Sequence, residues 1–561
     1  MDILGTPYVA DERDIAEPVS FSPQLPQNDA LIAIGHIFEI AGSNAQAVFD
    51  AAILGQLADH ADNCVAMAGQ IGGFVKVRVS RMWLIASIRT LALQGADGDR
   101  IVATLDFLGE GDDDQLTHQM RHFRRGVTRY PTPGTAICPV SAPEMQQVFA
   151  ADSRPHFEVG TIYPTEDIRG SIYLDGLLGR HFALLGSTGT GKSTAAALIL
   201  HKICAMAPNG HIVMIDPHGE YSAAFKNVGA LFDVNNLALP YWMMNFEEHC
   251  EVFITSDGAE RQRDGDILAK CLLAARAKNR LGSEIPRLTV DSPVPYLLSD
   301  LTNIIQQEMG KMDRAGDSTP YMRLKNKIDE IRADPRYNFM FSGMLVSDTM
   351  ADFIAKIFRM PGEGRPISII DVSSVPSNIT STVVSVLSRL VFDYAIWSRN
   401  EPQRPILLVC EEAHRYIPSD RVTGDSAVRK VLERIAKEGR KYGVSLGLIT
   451  QRPSDLAEGV LSQCGTIIAM RLNNDRDQAM VRAAMPEGAR GFLDSIPALR
   501  NRECVICGEG VAIPMRVALD TLAAEKRPAS GDPSFASLWR DQGGEAEILN
   551  RVVHRWRHQG R

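Results

Sequence analysis

Cysteines are few in this sequence, and their arrangement suits neither disulfides nor a metal centre. The 561 residues contain nine cysteines, of which only Cys504 and Cys507 lie close together. An odd, scattered set in a long chain is typical of a reducing compartment rather than of a disulfide framework. Residues 502–517 alternate like a pair of strands turning at 508–510, and residues three apart on a strand point to opposite faces. The pair therefore gives little support to a metal or redox site.

Long apolar runs are also missing. No segment reaches the ~18 consecutive apolar residues that a membrane-spanning helix requires. Residues 1–4 show no basic region followed by an apolar core, the pattern of a signal peptide. We therefore expect a cytoplasmic protein that uses no membrane segment.

An overall excess of positive charge is absent as well. The formal net charge is −9, with a pI near 5.9. This balance argues against a protein that coats nucleic acid with its whole surface, although a local stripe of Lys and Arg suffices for phosphate contacts. With 45% hydrophobic and 23% charged residues the composition is globular, and the length allows several domains of about 100–200 residues each.

The most informative segment is residues 186–193, which fit the phosphate-loop pattern G-x-x-x-x-G-K-[ST]. A short apolar run at 181–185 predicts a strand before it, and residues 194–200 predict a helix after it. This context favours a site in which backbone N–H groups and a helix N-terminus face phosphate. Lys192 would reach the β- and γ-phosphates of ATP, and Ser193 would ligate Mg²⁺. The predicted nucleotide-binding residues are Gly186, Ser187, Thr188, Gly189, Thr190, Gly191, Lys192, Ser193 and Thr194.

A second motif lies about 220 residues further on. Residues 405–410 form an apolar strand that ends in Glu411 and Glu412, a Walker B-like pattern in which the first acid is Glu rather than Asp. Glu411 would hold the Mg²⁺ water shell, and Glu412 would polarise the attacking water as general base. The alternative is a pair of glutamates with a structural role.

Two further polar residues follow predicted strands. Asp216 ends the strand at 212–215 and could orient water or Mg²⁺, or could cap a Pro-Gly turn. Gln451 follows the strand at 444–449 and could sense the γ-phosphate or position water. With strands also at 366–372 and 467–472, the core is predicted to be an α/β domain with a mostly parallel sheet and helices on both faces.

The domain organisation is predicted as follows. Residues 1–28 form an irregular arm, and 29–150 form a small β-barrel in which 109–114 is an acidic turn. Residues 151–520 form the ATPase domain, interrupted by a helical insertion at about 241–360. Residues 521–561 contain a linker and a basic amphipathic helix, which could brace a neighbouring subunit, bind an acidic partner or simply lie on the surface.

The charge changes sign at residues 413–452, which contain nine basic and four acidic residues. Part of this excess belongs to a solvated helix, because Glu433 and Lys437 are four residues apart in the favourable orientation. Charge alone makes four residues candidates for DNA contact: Arg415, Arg421, Arg429 and Lys430.

Taken together, these motifs resemble the HerA family, hexameric ATPases of the HerA/FtsK superfamily. The resemblance is carried by the barrel, the phosphate loop, residues 215–221, residues 410–414, residues 438–443 and residues 450–456. It implies a RecA-like core, an N-terminal barrel of the HAS type, a homo-hexameric ring with ATP between subunits, and a pore for double-stranded DNA. It also implies that Arg180 and Arg440 reach nucleotide, one of them across the subunit joint.

The resemblance favours an ATP-driven hexameric DNA translocase or helicase that powers or regulates a partner nuclease or other effector, in DNA-end processing or antiphage defence. No nuclease constellation is recognisable in the sequence, so a separate protein would supply any cutting. One alternative is a ring-shaped scaffold whose ATPase gates an effector without pumping DNA. A conjugation-type ATPase is a third reading, disfavoured by the missing membrane segment.

Overall fold

The computed structural model describes residues 32–94, 100–311, 317–419, 426–485, 490–529, 535–540 and 545–557. The chain divides into two compact units, residues 1–148 and 149–561. The predicted arm at 1–28 lies outside the described residues, as does Arg421.

The first unit is a closed barrel. Its strands run in the order β2-β1-β7-β3-β4-β5, and an antiparallel pairing of β2 with β5 closes the ring, while β6 pairs with β5 outside it. Closure removes the open edges through which sheets aggregate. The strands are β1 (Gly35–Ala41), β2 (Asn44–Asp50), β3 (Phe74–Val79), β4 (Met82–Gln94), β5 (Arg100–Asp113), β6 (Met120–Arg125) and β7 (Ala136–Pro139), with helices α1 (Ala51–Leu57), α2 (Asn63–Ala66) and α3 (Ala142–Phe149).

Alternating side chains fill this barrel. On β2, Ala45, Ala47 and Phe49 are buried while the residues between them are not, as a strand with one face toward a core requires. They join a cluster that includes Ile37 and Leu105. The predicted small β-barrel is confirmed.

The prediction of an acidic turn at 109–114 is wrong. Residues up to Asp113 belong to β5, where Glu110 lies opposite Arg124 and Asp112 lies opposite Arg121 of β6. Opposite charges facing each other across two strands stabilise the pairing. The sequence of β6, MRHFRR, lacks the apolar alternation that marks a strand, and without its basic partner the acidic segment resembles a loop.

The second unit contains an eleven-stranded sheet in the order β12-β13-β11-β14-β15-β10-β16-β17-β18-β8-β9. The strands from β12 to β16 in this order are parallel, and the remaining neighbours pair antiparallel. The strands are β8 (His156–Ile162), β9 (Arg169–Tyr173), β10 (Phe182–Leu185), β11 (Ile212–Asp216), β12 (Gly229–Phe232), β13 (Ile367–Asp371), β14 (Ile406–Cys410), β15 (Val444–Thr450), β16 (Thr466–Met470), β17 (Glu503–Gly508) and β18 (Met515–Leu519). The mostly parallel ATPase core is confirmed.

Helices connect and cover these strands. The insertion between β12 and β13 is helical, as its spacing of apolar residues predicts. Before it come α4 (Leu174–Leu178), α5 (Lys192–Met206) and α6 (Ser222–Phe225); it contains α7 (Phe246–Phe253), α8 (Gly258–Ala277), α9 (Arg280–Glu284), α10 (Leu298–Gly310), α11 (Thr319–Ala333), α12 (Asn338–Phe341) and α13 (Met350–Phe358); after it come α14 (Ser377–Trp397), α15 (Ala427–Tyr442), α16 (Glu458–Leu461), α17 (Asp475–Ala484), α18 (Arg490–Leu493), α19 (Phe535–Leu538) and α20 (Glu545–Arg557).

Among the described residues one helix, α14, is long and apolar enough to span a membrane. Two thirds of its most apolar stretch is buried inside the unit, where α14 packs against α15 and α7. This burial is that of a core helix.

Sheet order positions the candidate site. Strands β14, β15 and β10 are consecutive neighbours and parallel, so the segments following all three emerge at the same edge of the sheet. Those segments are the Glu411–Glu412 pair, Gln451 and the phosphate loop. The cysteines of the isolated pair, Cys504 and Cys507, are buried on β17, and the described residues contain no group of three or more His, Cys, Asp or Glu side chains placed to hold a metal ion.

Candidate nucleotide-binding site

The phosphate loop joins β10 to α5 and is anchored to strands on both sides. The Gly186 N–H donates to the carbonyl of Thr450 at 3.3 Å, and the Ser187 N–H donates to the carbonyl of Arg471 at 2.9 Å. Gly189 and Gly191 have φ angles of 78° and 95°, a left-handed backbone that glycine adopts without a steric penalty. The loop is thereby held in a tight turn over the start of α5, where anions are favoured.

The side chain of Lys192 lies among the two glutamates. Its Nζ is 2.9 Å from Oε1 of Glu411 and 3.7 Å from Oε1 of Glu412, and all three side chains are at least nine-tenths buried. Burial lowers the pKa of Lys192, but the facing carboxylates more than offset that effect and leave the pKa above its ordinary value. Burial also raises the pKa of Glu411 against the opposing effect of the ammonium. The structure thus brings together the predicted phosphate lysine and both predicted acids.

Tyr221 is a site residue to which the sequence assigned no role. It is fully buried, and its hydroxyl donates to Oε2 of Glu411 at 3.0 Å. Burial raises the pKa of this hydroxyl well above the ordinary value, and the side chain of Ser193 lies close enough to lower that pKa in part. Tyr221 closes the segment Asp216–Tyr221 after β11, so its place in the motif was visible, but only the pairing of β11 with β14 brings it to Glu411.

Asp216 occupies the position of a turn cap. Its Oδ1 accepts the N–H groups of His218 and Gly219, at 3.1 and 2.9 Å, and its Oδ2 accepts that of Tyr221 at 2.9 Å. Burial raises the pKa of this carboxyl while the backbone donors oppose the shift. Of the two roles left open by the sequence, this geometry favours the cap, which acts on the site through Tyr221.

Glu412 has an unusual backbone for a residue with a side chain. Its φ and ψ of 50° and 45° are left-handed, a conformation that costs about 1–3 kcal/mol for non-glycine residues and is concentrated at functional sites. The turn directs its side chain back into the site, with Oε1 toward Lys192 and Oε2 at 3.2 Å from Nδ1 of His414.

Gln451 contacts the phosphate loop directly. The Thr188 hydroxyl donates to Oε1 of Gln451. Because Gln451 follows β15, which lies between β14 and β10, its amide sits between the acid pair and the loop. The predicted site residues Lys192, Glu411, Glu412 and Gln451 therefore converge.

Arg180 and Arg440 do not join this cluster. Arg180 precedes β10, about 20 Å of extended chain before the phosphate loop, and forms an ion pair with Glu509. Arg440 is exposed in the last turn of α15, which leads through Gly443 into the start of β15. Both arginines lie at the amino edge of the parallel strands, opposite the phosphate loop of the same chain.

The candidate DNA contacts differ in their surroundings. Arg429 pairs with Glu433 at 2.8 Å, and Lys430 pairs with Glu247 at 2.7 Å. Arg415 is exposed directly after the acid pair. Arg415 and Lys430 are both exposed, but Lys430 is paired with Glu247, so this geometry favours Arg415 among the described candidates.

The predicted magnesium ligands fit a hard cation. Ser193 and Glu411 offer a hydroxyl and a carboxylate, the oxygen donors that Mg²⁺ prefers. Both side chains contact the Tyr221 hydroxyl, which places the two donor groups close together.

Comparisons with known proteins agree with these motifs. Residues 157–391 match the family model described as the central domain of the helicase HerA. The DNA double-strand break repair helicase HerA of Pyrococcus furiosus is 26% identical over 478 residues, which cover 78% of this chain and 82% of that protein. The protein of the same name from Sulfolobus acidocaldarius is 25% identical over 436 residues, or 76% of this chain and 80% of the relative.

Two solved structures resemble this chain in part, at low sequence identity. VirB4 of Thermoanaerobacter pseudethanolicus is 15% identical, with a TM-score of 0.47 over 67% of this chain and 99% of that one. The plasmid coupling protein TrwB bound to the ATP analogue ADPNP is also 15% identical, with a TM-score of 0.45 over 70% of this chain and 95% of that one.

Proposed function

Because the chain is a HerA-family P-loop ATPase, as its motifs predicted, we propose that it couples ATP hydrolysis to movement along double-stranded DNA as a homo-hexameric ring. The observation that carries the proposal is the convergence of Lys192, the Glu411–Glu412 pair and Gln451 at the carboxyl edge of β10, β14 and β15. These groups are what phosphoryl transfer to water requires.

Each residue has a definite task in this proposal. The phosphate loop binds the β- and γ-phosphates through its N–H groups, and Lys192 neutralises their charge. Ser193 and Glu411 would hold Mg²⁺, which when bound supplies positive charge to the phosphate oxygens. Glu412 accepts a proton from the attacking water, and Gln451 orients that water near the γ-phosphate.

The position of the two arginines supports an assembly in which subunits complete each other's sites. Arg180 and Arg440 lie at the edge of the sheet opposite their own phosphate loop, so either can reach a nucleotide only in a neighbouring subunit. In a ring, that neighbour would present its phosphate loop at the joint. An arginine in this position stabilises the charge that develops on the transferring phosphoryl group.

Three considerations support action on DNA, a separate effector protein and a cytoplasmic location. The relatives from Pyrococcus furiosus and Sulfolobus acidocaldarius are named DNA repair helicases. The described residues contain no metal-binding cluster of the kind that two-metal nucleases use, so cutting would fall to a separate nuclease or other effector. All nine cysteines are free thiols, which fits a reducing compartment.

The test is ATP hydrolysis by the purified protein with and without duplex DNA. We expect DNA to stimulate turnover, and Glu412→Gln to abolish hydrolysis while ATP still binds. Lys192→Ala should lose both. The matched control is Glu438→Gln, an exposed-helix glutamate paired with Arg434, which should retain activity.

The same assay separates the alternatives. Hydrolysis that is indifferent to DNA would contradict the translocase and favour the scaffold that gates an effector.

Arg415→Ala should weaken the stimulation of hydrolysis by DNA and lower the salt dependence of DNA binding by about one phosphate contact. Arg429→Ala should not, because Arg429 is occupied by Glu433.

A further inference from the structure

His414 lies between the acid pair and the end of β15. Its Nδ1 is 2.9 Å from the Thr450 hydroxyl and 3.2 Å from Oε2 of Glu412. The His414 side chain is 16% exposed, that of Glu412 is 7% exposed, and Thr450 is fully buried. One ring nitrogen therefore faces an oxygen atom from the turn after β14 and another from the last residue of β15.

The surroundings determine which ring nitrogen carries the proton. The carboxylate of Glu412 can only accept, and the Thr450 hydroxyl oxygen already accepts the N–H of Arg452 at 3.0 Å. Burial lowers the pKa of His414, so the imidazole is neutral at pH 7 and has a single N–H. On Nδ1 that N–H donates to the Thr450 hydroxyl oxygen, which can accept a second hydrogen bond, and it is shared with Oε2 of Glu412.

Glu412 needs such a donor. A buried carboxylate is costly unless hydrogen bonds satisfy its oxygens, and Oε1 has only the more distant Lys192 ammonium at 3.7 Å. Glu412 has a left-handed backbone and lies outside any regular helix or strand. The direction of its side chain therefore depends on contacts with neighbouring side chains. Oε2 is buried without a well-aligned hydrogen bond among the described residues, and Nδ1 of His414, at 3.2 Å, is a donor group within reach of it.

We propose that His414 is a positioning residue that orients Glu412 through Nδ1 and ties it to Thr450, the residue before Gln451. The inference rests on the proposed role of Glu412 as the general base. His414 touches neither phosphate nor water in this arrangement. It holds Glu412 and the segment that carries Gln451 in fixed relative positions, because one ring N–H bridges Glu412 and Thr450.

Three substitutions at one position test the geometry. His414→Asn places an amide N–H where Nδ1 lies, His414→Gln places it where Nε2 lies, and His414→Ala removes both. We expect His414→Ala to lower kcat by about 10–100-fold, the usual effect of losing an orienting partner, with the affinity for ATP close to wild type. His414→Asn should recover most of kcat, and His414→Gln should not.

A structural role would give a different result. His211, whose Nδ1 contacts the carbonyls of Phe358 and Arg359, is a half-buried histidine at the amino edge of the sheet, and His211→Ala is the matched control for general destabilisation. If the three His414 variants lose kcat equally, or only in proportion to their melting temperatures as His211→Ala does, the inference is overturned.

Comparison of His414→Ala with Glu412→Gln separates the role of His414 from the role of Glu412 as general base. If Glu412→Gln is inactive while His414→Ala retains full kcat, only the role of His414 is overturned. If Glu412→Gln itself hydrolyses ATP at the wild-type rate, the proposed base is wrong and the inference falls with it.

Discussion

The Lys192 ammonium and the Glu411 carboxylate, 2.9 Å apart, are each other's counter-charge inside the protein. They come from positions 219 residues apart in the chain, and both are almost completely buried. In the proposed site Lys192 would bind the phosphates and Glu411 would bind Mg²⁺. Their contact therefore links the stability of the core to the chemistry of the site.

Removing one member of this pair should destabilise the ATPase domain. Lys192→Met leaves Glu411 buried without its nearest positive charge, and breaking a buried pair in this way costs about 3–5 kcal/mol. Lys192→Met combined with Glu411→Gln should regain most of that loss, since neither charge remains. Urea unfolding measures both variants, with Lys202→Met on the same helix as the control. Equal stability of the single variant and the control would contradict the prediction.

Tyr221→Phe should alter the magnesium requirement. Its hydroxyl contacts both Glu411 and Ser193, so the substitution leaves the predicted ligands in place but unoriented. We expect the Mg²⁺ concentration for half-maximal hydrolysis to rise about 10-fold. The measurement is ATPase rate against Mg²⁺ at saturating ATP.

Tyr416→Phe provides a close control for that experiment. Tyr416 is also buried, but its hydroxyl finds no hydrogen-bond partner among the described residues. Removing it should leave the magnesium dependence unchanged. Identical magnesium curves for Tyr221→Phe and wild type would show that the hydroxyl does not orient the ligands.

What could be predicted from the sequence was local. The phosphate loop and the acid pair are contiguous motifs with strand or helix flanks, and the insertion helices follow from their apolar spacing. The contacts of Tyr221 and His414 could not be predicted, because they depend on the order β11-β14-β15-β10. Strands with little apolar alternation, such as β6 and β9, were not predicted for a related reason. Each is stabilised by pairing with a neighbouring strand, β5 for β6 and β8 for β9, rather than by a pattern in its own residues.

The stability of the second unit should fall as the pH drops below about 6.5. His249 is fully buried, and burial, with Arg276 and Arg389 nearby, holds its pKa well below the ordinary value. Its Nδ1 donates to the carbonyl of Asn245 and its Nε2 accepts from the Tyr296 hydroxyl, which requires the neutral form. The unfolded chain binds the proton more readily, so acid favours unfolding.

The expected slope for this one group is about 1.4 kcal/mol per pH unit between the unfolded pKa and the lower folded pKa. Unfolding free energies at pH 7.5 and 5.5 measure it. His249→Gln should flatten the dependence by this amount, whereas His156→Gln, at an exposed histidine, should not. An unchanged slope in His249→Gln would assign the acid sensitivity to other groups.

Subunit mixing should show which arginine acts across a joint. Arg180 and Arg440 lie at the amino edge of the sheet, so a variant lacking either keeps an intact phosphate loop. If one of them stabilises the transition state in a neighbouring subunit, its replacement by Ala should lower kcat by about 10³–10⁵-fold in the homogeneous ring. ATP binding should persist.

The informative mixture combines the inactive Arg→Ala protein with inactive Lys192→Ala protein. A Lys192→Ala subunit still offers its arginine, and an Arg→Ala subunit still offers its phosphate loop, so some joints in a mixed ring are complete. Hydrolysis should reappear for the arginine that acts in trans and stay absent for one that acts within its own chain. Arg404→Ala, an exposed arginine just before β14 at the same edge, should be fully active alone. If neither mixture recovers activity, the arginines do not act across the joint and the ring cannot depend on them in that way.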